Sequence, residues 1–453
     1  MKKDISINTS LFHIDGKPAL KTAMPLAMQH LLAMIVGNTL PALVLANTLQ
    51  LAPELKIQLV QAGMFIAAIA TLLQLYPVMK VGAKLPVVMG LSFAYIPTLL
   101  AIGQELGIGA IFGSQLVGGV VAFIVGIFIR KIRKLFPPMV AGTVVFTIGL
   151  SLYRVAVNYM AGGFQSTDPR YGGLVYWGIA VLTLATVLLC NTYGKGYIKL
   201  AAILIGIAVG YAASLAAGIV SYESIVSASV FNFPKIMPFK LEFIPSAVAT
   251  MAVMYVVNSV QAVGDLSGTT VGGIDREATD EEISGGIKAN GVVSIIGSFI
   301  GALPTATYSQ NVGIVAMTKV VSRKVVGLTA LMILAAGFVP KFGAVMTSIP
   351  QCVIGGATIS VFAQITMTGM KLIVQDEMSV RNTTIVGLGI ALGMGITQIP
   401  AQGLQYMPQW FRMVFTSSPV VMATVVVFLL NILLPKKTIA QEKAEREAIE
   451  NKN

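Results

Sequence analysis

The chain of 453 residues is poor in charged residues, cysteine and histidine. Only 11% of its residues are charged, whereas an ordinary soluble domain carries about 25%. Its two cysteines, Cys190 and Cys352, both lie in apolar segments, so they predict no disulfide framework. With two histidines and no HExxH or CxxC motif, the sequence predicts no metal site. These shortages argue against a soluble protein and against a metalloenzyme.

Long apolar runs make up most of what is present. Hydrophobic residues account for 55% of the chain, and its mean hydropathy is +0.81. Runs close to ~20 residues, the length that crosses a bilayer, recur along the sequence. We therefore predict an all-α polytopic membrane protein embedded in a lipid bilayer. About fourteen transmembrane segments are predicted, near residues 24–48, 57–76, 85–100, 109–129, 136–157, 174–192, 198–220, 245–267, 285–303, 308–318, 325–344, 350–371, 382–400 and 415–434.

The formal charge of +12 is concentrated in short basic clusters between apolar runs, such as "RKIRK" at 130–134 and "SRK" at 322–324. This is the Lys/Arg excess of cytoplasmic loops, so no nucleic-acid partner is predicted. Threading the segments by this rule predicts a multi-pass protein of the cell membrane with both termini in the cytoplasm. Residues 1–23 then form a cytoplasmic N-terminal segment, and residues 435–453 form a charged cytoplasmic tail.

Two segments are too short or too polar to be ordinary spans. One, at 84–103, contains two prolines and an internal glycine, and the other, at 306–319, follows a proline and also contains a glycine. They are the third segments of the first and second sets of seven. Interrupted segments at matching positions of two halves mark the binding site of many transporters. Each half has seven spans, and after an odd number of crossings the second half starts on the opposite side of the membrane. The sequence therefore predicts a 7+7 inverted repeat with short broken segments 3 and 10.

Several polar residues lie inside these apolar segments, where an unpaired polar group is costly. Some have simple structural interpretations: His30 can hydrogen-bond a neighbouring helix, and Asn258 and Asn290 can hold helices together. Asp265 is different, because a carboxylate at this depth must be paired, protonated or used. The membrane candidates are His30, Asn258, Gln261, Asp265, Asn290, Tyr308, Ser309, Gln310 and Asn311.

The polar cluster at 308–311 predicts a binding site for a planar ring. The carboxamide of Gln310 donates and accepts in one plane, as Gln does at the edge of adenine. Phe93, Tyr95 and Tyr308 offer faces for stacking, and the start of a half-helix offers free N–H groups. These groups suit an oxo-bearing ring that is neutral or weakly anionic.

The segment "QNVGIVAMTKVVSR", residues 310–323, resembles the signature Q/E-N-x-G-x-x-x-x-T-x-x-x-S-R of the nucleobase–ascorbate (nucleobase–cation symporter-2) transporters. The resemblance extends over residues 24–434. Its other matching stretches are "QHLLAM" (29–34), "SFAY" (92–95), "VGD" (263–265), "GGIKANG" (285–291) and "GFVPKFGAVMTSIPQCVIGG" (337–356).

This resemblance implies a secondary active transporter that imports purines or pyrimidines by ion-coupled symport, and not an enzyme. It implies no cofactor beyond a coupling ion, H⁺ in most relatives and Na⁺ in some, and it implies a homodimer. The core, or substrate-binding, domain would comprise residues 24–134 and 245–344, and the gate domain residues 135–220 and 350–434.

The resemblance also implies roles for single residues. Gln310 would bind the base edge, and Tyr95 would sit against the ring beside Phe93. Relatives selective for uracil have Glu at the Gln310 position, whereas xanthine and urate relatives have Gln, so we expect an oxopurine. The other implied roles are backbone N–H donors at Ala94 and Ser309, a lining residue at Tyr308, and site organisers at Asn311 and His30.

Two positions depart from the family pattern. Relatives usually carry Glu where Gln261 stands, and several xanthine relatives carry Asp where Asn290 stands. Gln261 can still bind a base but cannot titrate. Asp265, one helical turn away, is then the better candidate for a proton carrier than His30, and a sodium ion held by Asp265 and backbone carbonyls is the alternative.

Two other functions stay open at this stage. A uracil permease of the same family is one. An anion transporter or channel of the related sulfate-transporter architecture is the other, although it would favour a basic residue in the broken segments, and the predicted spans 85–100 and 308–318 contain none. A membrane enzyme is disfavoured, because the sequence presents no nucleophile–base pair.

Overall fold

A computed structural model describes residues 10–132, 136–163, 170–408, 411–416, 418–436 and 438–450. The predicted N-terminal segment and C-terminal tail therefore lie partly outside the described residues, as does the core–gate boundary at 134–135. The helices are α1 (Leu20–Thr48), α2 (Pro53–Leu75), α3 (Ile96–Leu106), α4 (Ile108–Ile132), α5 (Pro138–Met160), α6 (Leu174–Tyr193), α7 (Ala202–Ala216), α8 (Pro245–Ile274), α9 (Asp280–Ile300), α10 (Ser309–Thr318), α11 (Arg323–Gly337), α12 (Pro340–Thr347), α13 (Gln351–Ile373), α14 (Val380–Ile396), α15 (Pro419–Leu433) and α16 (Ile439–Glu450).

Every predicted segment contains helix, although the segment at 85–100 is α-helical only from Ile96, and the predicted all-helical polytopic class is confirmed. Within the described residues, eight helices are long and apolar enough to cross a membrane. A ninth span results if α11 and α12, which meet at a bend of 80°, are counted together. The helices α7, α14 and α15 are shorter but apolar. The count of fourteen spans and the inverted repeat stay predictions.

The helices pack in two groups. In the first group α4 packs on α8 and α9, and α2 packs on α11; in the second α5 packs on α13, α6 on α7, and α14 on α15. Each group contains a close glycine crossing. A Cβ atom at Gly119 of α4 would lie 2.8 Å from the carbonyl oxygen of Gly291, and one at Gly142 of α5 would lie 2.8 Å from that of Gly369. Small residues allow such backbone approach in membranes. The core and gate domains and their bounds stay a prediction.

The two interrupted segments contain a small β-sheet that the sequence reading did not foresee. Strand β1 (Met89–Leu91) pairs antiparallel with β2 (Thr305–Thr307), with Gly90 opposite Ala306. In segment 3 the helix therefore begins only at α3, later than predicted, whereas α10 begins within a residue of the predicted start. The physical reason is that a half-span leaves extended backbone without helical hydrogen bonds, and within a membrane those groups must find partners in the protein.

The threading makes a prediction that does not depend on the substrate. In a background without native cysteines, we expect a Gln104→Cys variant, at the end of α3 and within the predicted loop 103–108, to react with an impermeant maleimide in intact cells. A Glu281→Cys variant, at the start of α9 and within the predicted loop 276–284, should react only after permeabilisation. Both positions are exposed, so reagent access depends on the side of the membrane. Labelling of Glu281→Cys in intact cells would contradict the predicted orientation.

Candidate functional site

The sheet brings the starts of the two half-helices together. After β1, a 3₁₀ turn over Phe93–Tyr95 leads into α3, and the Ser92 hydroxyl accepts a hydrogen bond from the Ala94 N–H at 3.2 Å. After β2, α10 begins at Ser309. The first N–H groups of a helix have no intrahelical partner and carry partial positive charge. The centre of the molecule therefore presents donors suited to carbonyl oxygens or to weak anions.

A cavity of about 440 Å³ lies at this point, between the two helix groups. This volume is typical of a small-molecule site. From the first group it is lined by Ala33, Gly37, Leu91, Ser92, Phe93, Ala94, Gln261, Thr307, Tyr308, Ser309 and Gln310. From the second group, including the short turn between α6 and α7, the lining comprises Val145, Ile148, Asn191, Lys199, Leu200, Ala202, Ile203, Val361, Gln364, Ile365 and Thr368.

Most of the predicted substrate residues line this cavity. Among them Gln310 and Ser309 are exposed. Tyr95 does not line it: its side chain is fully buried, and its ring centroid lies 4.9 Å from that of Tyr255. The rings at the cavity wall are those of Phe93 and Tyr308. The role of Tyr95 against a bound ring stays a prediction.

The Asp265 carboxylate lies behind the cavity wall and is bound by two hydroxyl groups. Thr307 donates to Oδ2 at 2.5 Å, and Ser309 donates to Oδ1 at 2.6 Å. Both donors flank the start of α10, and both line the cavity. Hydroxyl donors to an ionised carboxylate make strong, short hydrogen bonds. Each carboxylate oxygen is thus separated from the cavity by one hydroxyl group. The charge of the carboxylate can therefore act on the start of the broken helix.

His30 and Asn311, both predicted to organise the site, lie in contact. The Asn311 Nδ2 atom is 3.0 Å from His30 Nδ1, and it also donates to the His30 backbone carbonyl at 3.1 Å. Both side chains are buried, and neither lines the cavity. They connect α1 to the first turn of α10, the turn that also carries Gln310.

Asn290 does not line the cavity either, and its side chain bonds to residues of two neighbouring elements. Its amide nitrogen donates to Asn258 Oδ1 at 2.8 Å, and its oxygen accepts from the Thr305 hydroxyl at 2.9 Å. This chain of hydrogen bonds joins α8, α9 and β2. An amide serves here because it donates on one side and accepts on the other. The structure therefore places Asn290 as a support for β2, outside the cavity.

Strand β1 is packed tightly around its central residue, Gly90. Tyr308 donates its hydroxyl to the Leu91 carbonyl at 2.7 Å, and Asn38 accepts from the Leu91 N–H at 2.8 Å. A Cβ atom on Gly90 would lie 2.6 Å from Asn38 Oδ1 and 2.6 Å from the Tyr308 hydroxyl oxygen. An added methyl group at this position must therefore displace one of these hydrogen-bonded side chains.

We accordingly expect Gly90→Ala to lower stability by about 1–3 kcal/mol, the usual cost of overpacking, and to lower the thermal unfolding midpoint by several degrees in detergent. The matched control is Gly264→Ala in α8, because a Cβ atom there meets nothing within 4 Å. Size-exclusion chromatography after heating would measure both midpoints. Equal midpoints for the two variants would contradict the packing at Gly90.

The second helix group contributes polar lining residues that the sequence reading missed. They include Gln364 of α13, Asn191 near the end of α6, and Lys199 in the short turn Tyr197–Leu200. Gln364 carries a signal that was available, because it is a polar residue inside an apolar segment, as Gln261 is. Lys199 carries none, since a lysine at the cytoplasmic start of the predicted span 198–220 is what the positive-inside rule leads one to expect.

The chain matches known proteins over nearly its whole length. A permease family model, Xan_ur_permease, matches residues 21–402. The putative purine permease CPE0397 of Clostridium perfringens is 32% identical, with 97% of this chain and 96% of that protein covered. The xanthine permease of Bacillus subtilis is 33% identical over 83% of this chain and 86% of its own length. The uric acid permease PucJ of Bacillus subtilis is 33% identical over 94% and 96%.

A solved structure shares the fold. The transmembrane domain of the bicarbonate transporter BicA from a cyanobacterium superposes with a TM-score of 0.56, covering 93% of this chain and 100% of that chain. Its sequence is only 12% identical, so this likeness concerns the fold alone and agrees with a polytopic helical transporter.

The two kinds of comparison agree with the resemblance drawn from the signature at 310–323. The family model covers most of the chain, and relatives above 30% identity match both halves. The expectation that the chain is not an enzyme is confirmed, because the family and these relatives are permeases. The chain belongs to the permease family that includes the xanthine and uric acid permeases.

Proposed function

We propose that this permease imports an oxopurine, xanthine or urate, across the cell membrane by ion-coupled symport. The observation that carries the proposal is the cavity at the start of α10, where the carboxamides of Gln310 and Gln261 and the rings of Phe93 and Tyr308 meet. The names of the relatives, xanthine permease and uric acid permease, support the same substrate class.

The cavity wall suits an oxopurine in several ways. Gln310 can donate to a ring carbonyl and accept from a ring N–H in one plane, as paired amide–base contacts do. The free N–H groups at the start of α10 add donors for a second oxygen. The Ala94 N–H already donates to the Ser92 hydroxyl. Beside α3 the polar group offered to the substrate is therefore the Ser92 hydroxyl, which lines the cavity.

Asp265 is the proposed coupling residue. An electron-rich or anionic ring beside Ser309 and Thr307 favours the protonated or cation-bound form of the carboxylate behind them, because like charges repel. Binding of the substrate and binding of the ion then support each other, as symport requires. A proton is the first candidate for the ion, and sodium is the second.

The remaining parts of the proposal concern assembly and orientation. We propose a homodimer in the plasma membrane with both termini in the cytoplasm. The basic loops support this orientation through the positive-inside rule. The apolar surface of the helices supports the lipid environment: for example, Leu174 is 91% exposed and Leu433 is 73% exposed, as lipid-facing side chains would be.

Uptake of radiolabelled xanthine, urate, uracil and sulfate in a transport-deficient host, with an empty-vector control, tests the proposal. Accumulation of xanthine or urate supports it. Uptake of uracil alone would contradict it and indicate a uracil permease. Uptake of sulfate alone would contradict it and indicate an anion transporter of the related architecture.

A further inference from the structure

The cavity extends beyond the cluster around Gln310 to a polar patch on the second helix group. The residues of this patch are Asn191, Lys199, Gln364 and Thr368. Asn191 and Thr368 lie near the ends of α6 and α13 that face the cytoplasm in the predicted threading. The patch therefore occupies the cytoplasmic mouth of the cavity, on the side from which an imported substrate leaves.

Lys199 is the one charged residue among the described residues that line the cavity. It is exposed, and its ammonium group forms no ion pair or hydrogen bond with any described residue. Lys319 provides a contrast, because its ammonium is held by Asp275 at 2.6 Å. An ammonium group without a carboxylate partner at the mouth of a cavity gives that mouth a positive potential, which low-dielectric walls strengthen.

The turn that carries Lys199 also contacts the other helix group. The Tyr197 hydroxyl donates to the Pro25 carbonyl of α1 at 3.1 Å, and the turn packs on both α1 and α6. Lys199 is thus held at the junction of the two groups. A molecule that moves from Gln310 to the cytoplasm passes this junction.

We infer that Lys199, with Gln364 and Thr368, forms a second subsite at the cytoplasmic mouth that binds the anionic form of an oxopurine during its release. This inference rests on the proposed function and names the charge state of its ligand. Opposite charges in contact attract more strongly at the mouth of a protein cavity than in bulk water, because the effective dielectric is lower there. A neutral ring gains far less from the same ammonium group.

Exchange in membrane vesicles of defined orientation can test this subsite. Inside-out vesicles are loaded with labelled xanthine, and unlabelled urate or xanthine is added to the exposed cytoplasmic face. At slightly acidic pH urate is an anion and xanthine is neutral. We expect Lys199→Gln to raise the half-saturating urate concentration about fivefold to tenfold, the latter equal to 1.4 kcal/mol, and to change that of xanthine less than twofold.

The controls separate charge from structure and position. Lys199→Arg should retain the wild-type value for urate. Lys195→Gln, an exposed lysine of the same linker that does not line the cavity, should behave as wild type. In right-side-out vesicles the outer-face values should be unchanged in Lys199→Gln. Higher ionic strength should weaken urate exchange in the wild type and not xanthine exchange, because salt screens the charge.

Three results overturn the subsite alone, and a fourth overturns the proposed function as well. Unchanged urate values in Lys199→Gln, or equal increases for urate and xanthine, remove the anion subsite while leaving the proposed function intact. If urate does not compete at all in wild-type vesicles that exchange xanthine, the anionic ligand is wrong. If wild-type vesicles exchange neither compound, the proposed function and the subsite fail together.

Discussion

Replacing Gln310 by Glu is expected to lower xanthine and urate transport at least tenfold, which corresponds to about 1.4 kcal/mol. The two side chains have nearly the same size, but an ionised carboxylate only accepts hydrogen bonds, whereas the carboxamide also donates. An oxopurine presents its carbonyl oxygens to this side chain, so Glu exchanges an attractive contact for a repulsive one. Since uracil-selective relatives carry Glu here, some uracil recognition is expected in return.

The structure makes this substitution an informative one. Gln310 is the second residue of α10, its side chain is exposed to the cavity, and no side-chain hydrogen bond to a described residue is lost when it is replaced. A loss of transport with normal expression therefore reports on ligand contact rather than on folding. Gln405→Glu is the matched control, because Gln405 is also exposed but lies outside the cavity lining.

Initial rates of labelled xanthine and urate uptake, normalised to the amount of protein in the membrane, measure the effect. Kinetic constants for both substrates should show whether binding or turnover is lost. If Gln310→Glu takes up both purines at the wild-type rate, Gln310 is not in the substrate site, and the proposed pairing of amide and base edge is wrong.

Local sequence patterns were sufficient to locate the broken helix and its polar start. The proline, the glycine and the four polar residues at 308–311 lie within one short stretch, so a local reading finds them. The partners of Asp265 could not be found in this way, because Thr307 and Ser309 are separated from it by 42 and 44 positions. Only the tertiary structure shows which hydroxyl groups reach a buried carboxylate.

The strands and the second cavity wall were missed for other reasons. Strands of three residues are too short to show the alternation that marks a strand in a sequence. Lys199 resembles any other lysine of a cytoplasmic linker, and its importance comes only from its place at the cavity mouth. The surroundings of Tyr95 were also beyond a local reading, because the ring that it contacts belongs to Tyr255, 160 positions away.

The position of Asp265 gives a physical route from ion binding to the motion of the site. Its carboxylate accepts from Thr307 at the end of β2 and from Ser309 at the start of α10. Protonation or cation binding changes the strength of both hydrogen bonds. The N–H groups that would meet the substrate belong to the same turn, so the ion and the substrate act on one structural element.

Asp265→Asn is therefore expected to abolish gradient-driven accumulation while preserving part of the substrate binding. The amide keeps the shape and still accepts from one hydroxyl group, but it cannot bind a proton or neutralise a cation. Gln310 and Gln261 remain in the cavity, so counterflow of labelled xanthine should persist at a reduced rate. Glu281→Gln, which changes an exposed carboxylate outside the cavity lining, is the control for loss of an acidic group.

The identity of the ion follows from the wild type under the same conditions. Loss of accumulation on addition of an uncoupler indicates a proton, and loss on removal of Na⁺ at constant ionic strength indicates sodium. The internal concentration of labelled xanthine relative to the medium is the decisive quantity, because an uncoupled carrier can equilibrate its substrate but cannot concentrate it. An Asp265→Asn protein that still concentrates xanthine against its gradient would place the coupling site elsewhere, with His30, bonded to Asn311, as the next residue to replace.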